Sequence, residues 1–167
     1  MIKADINELR EKIVKLALMQ MDKPYVHGAH GDSSFDCAGL VWYIYYKILN
    51  IDLYNDGIGL STTTKIMTSC YGILNLFDEN DSYKDFDSIN IGDILFFHRQ
   101  SLDEFSPRED NKYPGHCGIY LGDDIFIHCP RNKGMVKIND FSKSKYWRKK
   151  LVASKDVVSD AKVLILK

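Results

Sequence analysis

The chain has 167 residues, 45% hydrophobic and 27% charged, a size and balance that suit one globular domain over residues 1–167. A net charge of −1 argues against nucleic acid as the main partner. No apolar run is long enough to cross a bilayer, and residues 1–20 carry charges throughout with no apolar signal-peptide core.

Residues 5–20 read as an amphipathic helix. Asp5 is placed to cap it, with Glu8 three residues on. Ile6, Leu9, Ile13, Leu16, Ala17 and Gln20 share one face, and Pro24 ends the run. Residues 27–34 (HGAHGDSS) read as a polar, turn-rich loop, so His27 and His30 are loop histidines without assigned chemistry. Residues 37–49 form a second helix with a wide apolar face from Leu40, Val41, Ile44, Tyr45, Ile48 and Leu49, which predicts a central, mostly buried helix. A third helix over residues 61–70 would be capped by Ser61, Thr62 or Thr63.

The pattern then turns strand-like. Ile94-Leu95-Phe96-Phe97 is entered through Gly92-Asp93. Residues 98–114 form a long polar loop, a length often tied to function. Residues 116–121 and 125–129 flank a Gly122-Asp123-Asp124 turn, the strongest hairpin signal in the chain. Residues 133–138 give a further short strand, and apolar pairs or runs recur at residues 157–158 and 163–166. The basic group Lys143, Lys145, Arg148, Lys149 and Lys150 reads as solvated surface. Helices first and a strand meander afterwards argue for an α+β fold, helices packed on a central antiparallel β-sheet.

Cys37 opens the second helix. Partial positive charge and unpaired N–H groups at a helix start favour thiolate over thiol, and a nearby imidazolium lowers the thiol pKa further. His116 and His128 lie on the predicted hairpin, and turn length decides whether they share a face. A three-residue loop, 122–124, sets His128 against Gly118, diagonal to His116 on the same face; a five-residue loop sets the two histidines directly opposite, and a two-residue loop turns them apart. The same parity argues against a metal held by His116, Cys117, His128 and Cys129, because neighbours on a strand point oppositely. Cys117 and Cys129 should then face the core. With Cys70, the four cysteines fit no zinc or redox spacing and are expected to be free thiols; no metal or other cofactor is called for.

Several runs in order resemble the NlpC/P60 family of papain-like cysteine peptidases. They are Pro24-Tyr25-Val26-His27-Gly28, Phe35-Asp36-Cys37-Ala38-Gly39-Leu40-Val41, Ile91-Gly92-Asp93-Ile94-Leu95-Phe96-Phe97 and Gly115-His116-Cys117-Gly118-Ile119-Tyr120-Leu121-Gly122. Phe126-Ile127-His128 and Tyr146-Trp147-Arg148 follow. The resemblance implies the family's papain-like α+β fold, with Cys37 as nucleophile, His116 as base and His128 orienting the base. It implies a Tyr25 hydroxyl near the oxyanion and Asp36 holding a free amino group of a peptidoglycan stem peptide. The implied activity is cleavage of stem peptides, often between γ-D-glutamate and a diamino acid. The chain departs from the family pattern at Ala38 (usually serine), at Leu60-Ser61-Thr62 (usually Arg-Thr-Ser) and at His27 (usually tryptophan).

A small chain without a recognisable leader or wall-binding segment suits a phage lysin, a tail-associated hydrolase or a released enzyme acting on the bacterial cell wall. An amidase or acyltransferase would use the same thiol and histidine on another substrate. A non-catalytic assembly module would show a degraded site, and no member of Cys37, His116 and His128 is missing. No motif encodes an oligomeric state.

Overall fold

A computed structural model describes residues 2–54, 62–77, 86–98 and 114–160. Four helices, α1 (Ile2–Leu18), α2 (Cys37–Leu49), α3 (Thr62–Thr68) and α4 (Lys145–Lys150), accompany eight strands among the described residues. A two-stranded ribbon joins β1 (His30–Gly31) to β2 (Ser34–Phe35). The other strands, β3 (Ile73–Leu76), β4 (Ile94–Phe97), β5 (His116–Gly122), β6 (Ile125–His128), β7 (Lys137–Asp140) and β8 (Leu151–Asp156), form one sheet in the order β3-β8-β4-β5-β6-β7. All its pairings are antiparallel. The expected α+β class, with helices on an antiparallel sheet, is what folds.

The sheet is covered on both faces, which explains why β4 reads as an unbroken apolar run rather than an alternating one. Ile94 and Phe96 join Cys117, Ile119, Ile127, Cys129 and Ala153 under α1 and α2. Leu95 and Phe97 pack with Tyr120, Phe126, Phe141, Trp147 and Leu151 on the opposite side. Burying each such aliphatic or aromatic side chain contributes about 1.5–3 kcal/mol, and all four residues of β4 are fully buried.

Helix α2 begins and ends where its sequence says it should. Asp36 sits in extended backbone and its Oδ1 accepts from the Gly39 N–H at 2.6 Å, while Asn50 closes the helix in the left-handed conformation. Such an N-cap stabilises a helix by about 0.5–2 kcal/mol. Gly39 is required by crowding: a Cβ there would lie 2.0 Å from the Ala29 carbonyl oxygen. The 28–36 segment therefore lies tightly over the start of α2. Residues 27–34, expected as loop, carry β1 and the start of β2.

Other boundaries differ from expectation. Helix α1 starts at Ile2, so Asp5 lies within it rather than capping it. It stops at Leu18, and Gln20 is buried beyond its end, with Nε2 donating to the Leu16 carbonyl at 2.8 Å. The strand expected at 133–138 runs from Lys137 to Asp140; Arg131–Lys133 is instead a short 3-10 turn, and Gly134 follows in the left-handed region. Ser61, most of the 98–114 loop and the 163–166 run lie outside the described residues. Among the described residues no helix is long and apolar enough to cross a membrane.

The β5–β6 hairpin keeps the expected register by a different route. The turn has two residues, Asp123 and Asp124, both at positive φ (51° and 63°), the conformation that a tight hairpin requires. That length alone would put His116 and His128 on opposite faces. A bulge at Leu121, between Tyr120 and Gly122, supplies the extra residue and restores the pairing of Gly118 with His128.

Candidate active site

Cys37 is the first residue of α2, half-buried, with its Sγ 3.8 Å from the Thr63 hydroxyl on α3. The Cys117 thiol and His116 on β5 are its other polar neighbours. Together these draw the Cys37 thiol well below its usual pKa: the Cys117 hydrogen bond contributes most, His116 and Thr63 add to it, and burial opposes. Cys117 is pushed the other way, first by burial and then by the neighbouring sulfur. The negative charge of the pair therefore resides on Cys37, and Cys117 remains the S–H donor.

His116 is 4% exposed and His128 fully buried. His116 Nε2 lies 2.8 Å from His128 Nδ1, and His128 Nε2 lies 2.7 Å from Asn139 Oδ1 on β7. The first contact leaves His116 Nδ1 for the Cys37 sulfur. His128 is held well below the ordinary imidazole pKa, chiefly by burial and then by the His116 charge; the Asn139 hydrogen bond works against this, and Lys137 adds to it. His128 is thus a neutral relay. Its ring stands edge-on to Trp147 at 4.7 Å, and Trp147 also lies 5.4 Å from the His116 ring. Phe97 and Phe126 complete an aromatic wall around the imidazoles. Gly118 makes room for this: a Cβ there would meet the Ile127 carbonyl oxygen at 2.7 Å and His128 Cβ at 3.0 Å.

Tyr25 and Asp36 border the thiol. Tyr25 is half-buried and held in place by its backbone N–H, which donates to the Gly134 carbonyl at 2.8 Å. Burial raises its phenol pKa first, with further upward pressure from Cys37 and Asp36, while Arg131 acts in the opposite sense. Asp36 is 8% exposed, and its second oxygen, Oδ2, accepts from the Gly28 N–H at 2.9 Å. Burial raises its pKa, its backbone hydrogen bonds lower it, and the Cys37 charge raises it. A buried carboxylate beside a thiolate is a place where a cation is welcome.

Cys37, His116, His128, Tyr25 and Asp36, picked from the sequence, thus lie in one cluster. His27 and His30 are exposed; the His30 ring packs edge-on against Trp42 at 4.9 Å. No disulfide links the four cysteines, and Cys117 and Cys129 are buried under α2. Sequence reasoning misses Asn139, Thr63 and the polar use of Cys117. Asn139 is hidden by the misplaced strand, and Thr63 reads there only as a helix cap. Cys117 follows His116 directly, and that adjacency to a strand histidine is its available signal.

Residues 22–156 match the model of the NlpC/P60 family, a span that contains every strand and every group just described. The chain belongs to the NlpC/P60 family. Its α+β architecture is the papain-like fold of that family. YafL of Escherichia coli K12, named a probable endopeptidase, is 28% identical over 160 residues, 95% of this chain and 54% of YafL. LytE of Bacillus subtilis 168, named a probable peptidoglycan endopeptidase, is 26% identical over 144 residues, 86% of this chain and 33% of LytE. Among solved structures, NlpC2 from Trichomonas vaginalis superposes with a TM-score of 0.63 at 25% identity, over 89% of this chain and 46% of that one. The chain spans about half or less of the length of these relatives.

Proposed function

We propose that this NlpC/P60 protein is a cysteine endopeptidase acting on peptidoglycan stem peptides, at the bond between γ-D-glutamate and a diamino acid. The observation that carries the reading is the continuous polar chain from the Cys37 thiolate through His116 and His128 to Asn139. The names of the relatives, peptidoglycan endopeptidase among them, support the substrate class.

In this reading the Cys37 thiolate attacks the scissile carbonyl and His116, as imidazolium, stabilises it as an ion pair. The tetrahedral oxyanion takes hydrogen bonds from the Cys37 backbone N–H and the Tyr25 hydroxyl. Such a donor contributes about 2.7–4 kcal/mol in a well-studied protease. His116 then gives its proton to the leaving amine, so the C–N bond breaks and a thioester to Cys37 remains. Neutral His116 next takes a proton from water, whose oxygen attacks the thioester, and the thiolate leaves. His128 keeps the His116 ring oriented throughout. Asp36 receives a free amino group of the stem, which supplies the missing countercharge beside its buried carboxylate.

The test is digestion of purified wall fragments followed by mass analysis. Fragments ending at D-glutamate are expected, with no product from Cys37→Ala. Release of whole stems from the glycan would instead assign an amidase, and undiminished cutting by Cys37→Ala would remove the nucleophile.

A further inference from the structure

We propose that Asn139 is a positioning residue: by accepting from His128 Nε2–H it sets which nitrogen of each imidazole carries a proton, and so keeps His116 able to pair with a thiolate. The inference rests on the reading of Cys37 and His116 as nucleophile and base.

A neutral imidazole has a single N–H. Two arrangements satisfy the 2.8 Å contact between the rings. In the first, His116 Nε2–H donates to His128 Nδ1, and the His128 proton sits on Nε2. Asn139 Oδ1, 2.7 Å away, then accepts it. In the second, His128 Nδ1–H donates to His116 Nε2, and a bare His128 Nε2 faces the lone pairs of Oδ1. That contact is repulsive. The first arrangement alone permits an imidazolium at 116, because both its nitrogens then carry protons with acceptors: His128 on one side and the Cys37 sulfur on the other. In the second, an imidazolium would press one N–H against another.

The surroundings leave little freedom. His128 is fully buried, so solvent does not substitute for the amide oxygen. Lys137 and His116 both disfavour a positive charge on it. The groups around the far end of the relay are Asp36, Cys117, Thr63, Tyr25 and Cys129, and none of them supplies an acceptor to His128 Nε2 in place of Asn139. Asn139 stands opposite Phe126 on the β6–β7 ladder, two residues from Lys137, which stands opposite His128. It therefore reaches the ring diagonally across the same face.

An asparagine amide rotated end for end would donate to Nε2 and impose the second arrangement, so the substitutions discriminate. Asn139→Asp offers acceptors only, and Asn139→Leu offers none. Nitrogen-15 NMR of the histidines in the full chain should find His128 as the Nε2–H tautomer in the wild type and in Asn139→Asp, and displaced from it in Asn139→Leu. Iodoacetamide alkylation of Cys37, followed by mass against pH, should keep its midpoint in Asn139→Asp. In Asn139→Leu the midpoint should move up by about one unit, a tenfold loss of thiolate at pH values below both midpoints. Wall-fragment turnover at pH values below the wild-type alkylation midpoint should fall about tenfold in Asn139→Leu and return in Asn139→Asp. An Nδ1–H tautomer in the wild type overturns the proposal. So does an unshifted alkylation profile in Asn139→Leu, or an Asn139→Asp variant as impaired as Asn139→Leu. Should Asn139→Leu not fold, the wild-type tautomer and the Asn139→Asp profile decide. Tautomer and alkylation need no substrate, so inactivity on wall fragments with the expected tautomer counts against the substrate reading and not against this one.

Discussion

The two faces of the β5–β6 hairpin make a natural comparison. One presents His116 and His128, walled by Phe97, Phe126 and Trp147. The other presents Cys117 and Cys129, buried beneath α2. Strand parity separates them although each histidine is followed at once by a cysteine. Cys37, at the start of α2, has a polar neighbour from each face, His116 and Cys117. The difference teaches that two jobs are divided: the imidazole face moves protons, while the thiol face holds charge by donating one hydrogen bond and excluding water. It also explains why no single ion would collect both His-Cys pairs.

Breaking the imidazole face should have the largest effect. His116→Ala removes both the ion-pair partner and the acid for the leaving amine. Turnover of wall fragments should fall by about 10²–10⁴-fold, the range for losing a positioned general acid–base. Steady-state rates on a defined fragment measure it, and a fall of less than tenfold would dissociate His116 from the chemistry. His128 offers a sharper variant of the same cut, because its loss should leave His116 present but unoriented.

Mixing the faces should cost stability first. In Gly118→Ala the new methyl is driven toward the Ile127 carbonyl and His128 Cβ. Overpacking of this kind typically costs about 1–3 kcal/mol. Urea denaturation should show it, together with weakened protection of the His128 ring from solvent. A Gly118→Ala protein as stable as the wild type would mean that β5 and β6 move apart more freely than their contacts imply.

The parts of the molecule that sequence made readable are those where local chemistry and tertiary packing agree. Asp36, Cys37 and the apolar face from Leu40 to Leu49 specify α2 by cap and periodicity alone. The hairpin was readable in register, because only an odd insertion keeps both histidines on one face, yet the bulge at Leu121 that provides it leaves no local signal. Strand β8 was not readable, since its Ser154 and Lys155 look solvent-facing. Lys155 is in fact 1% exposed, its Nζ donating to the carbonyls of Ile66, Met67 and Ser69 at 2.8–3.0 Å where α3 ends. The basic stretch at 143–150 reads as surface, and its charges hide Trp147, which packs on both histidines. Asn139 escapes for the same general reason: its partner lies on the neighbouring strand, and nothing in the run Ile138-Asn139-Asp140 points to it.

The thiol face should respond most gently, and the sign of its response is fixed by the chemistry. In the wild type the Cys117 S–H stabilises the Cys37 thiolate, so Cys37 is deprotonated at lower pH than an ordinary thiol. Cys117→Val keeps the site apolar and similar in size while deleting that donor. The Cys37 pKa should rise, by about one unit or less, since one unit corresponds to about 1.36 kcal/mol and a neutral hydrogen bond contributes on that order. Alkylation of Cys37 should therefore slow by up to about tenfold at pH values below the wild-type midpoint and remain unchanged well above both midpoints, where both proteins are fully thiolate. His116 and Thr63 still stabilise the anion, which is why the loss is partial. A profile that does not move would assign the low pKa to the helix start, His116 and Thr63, and the thiol face would then be packing and nothing more.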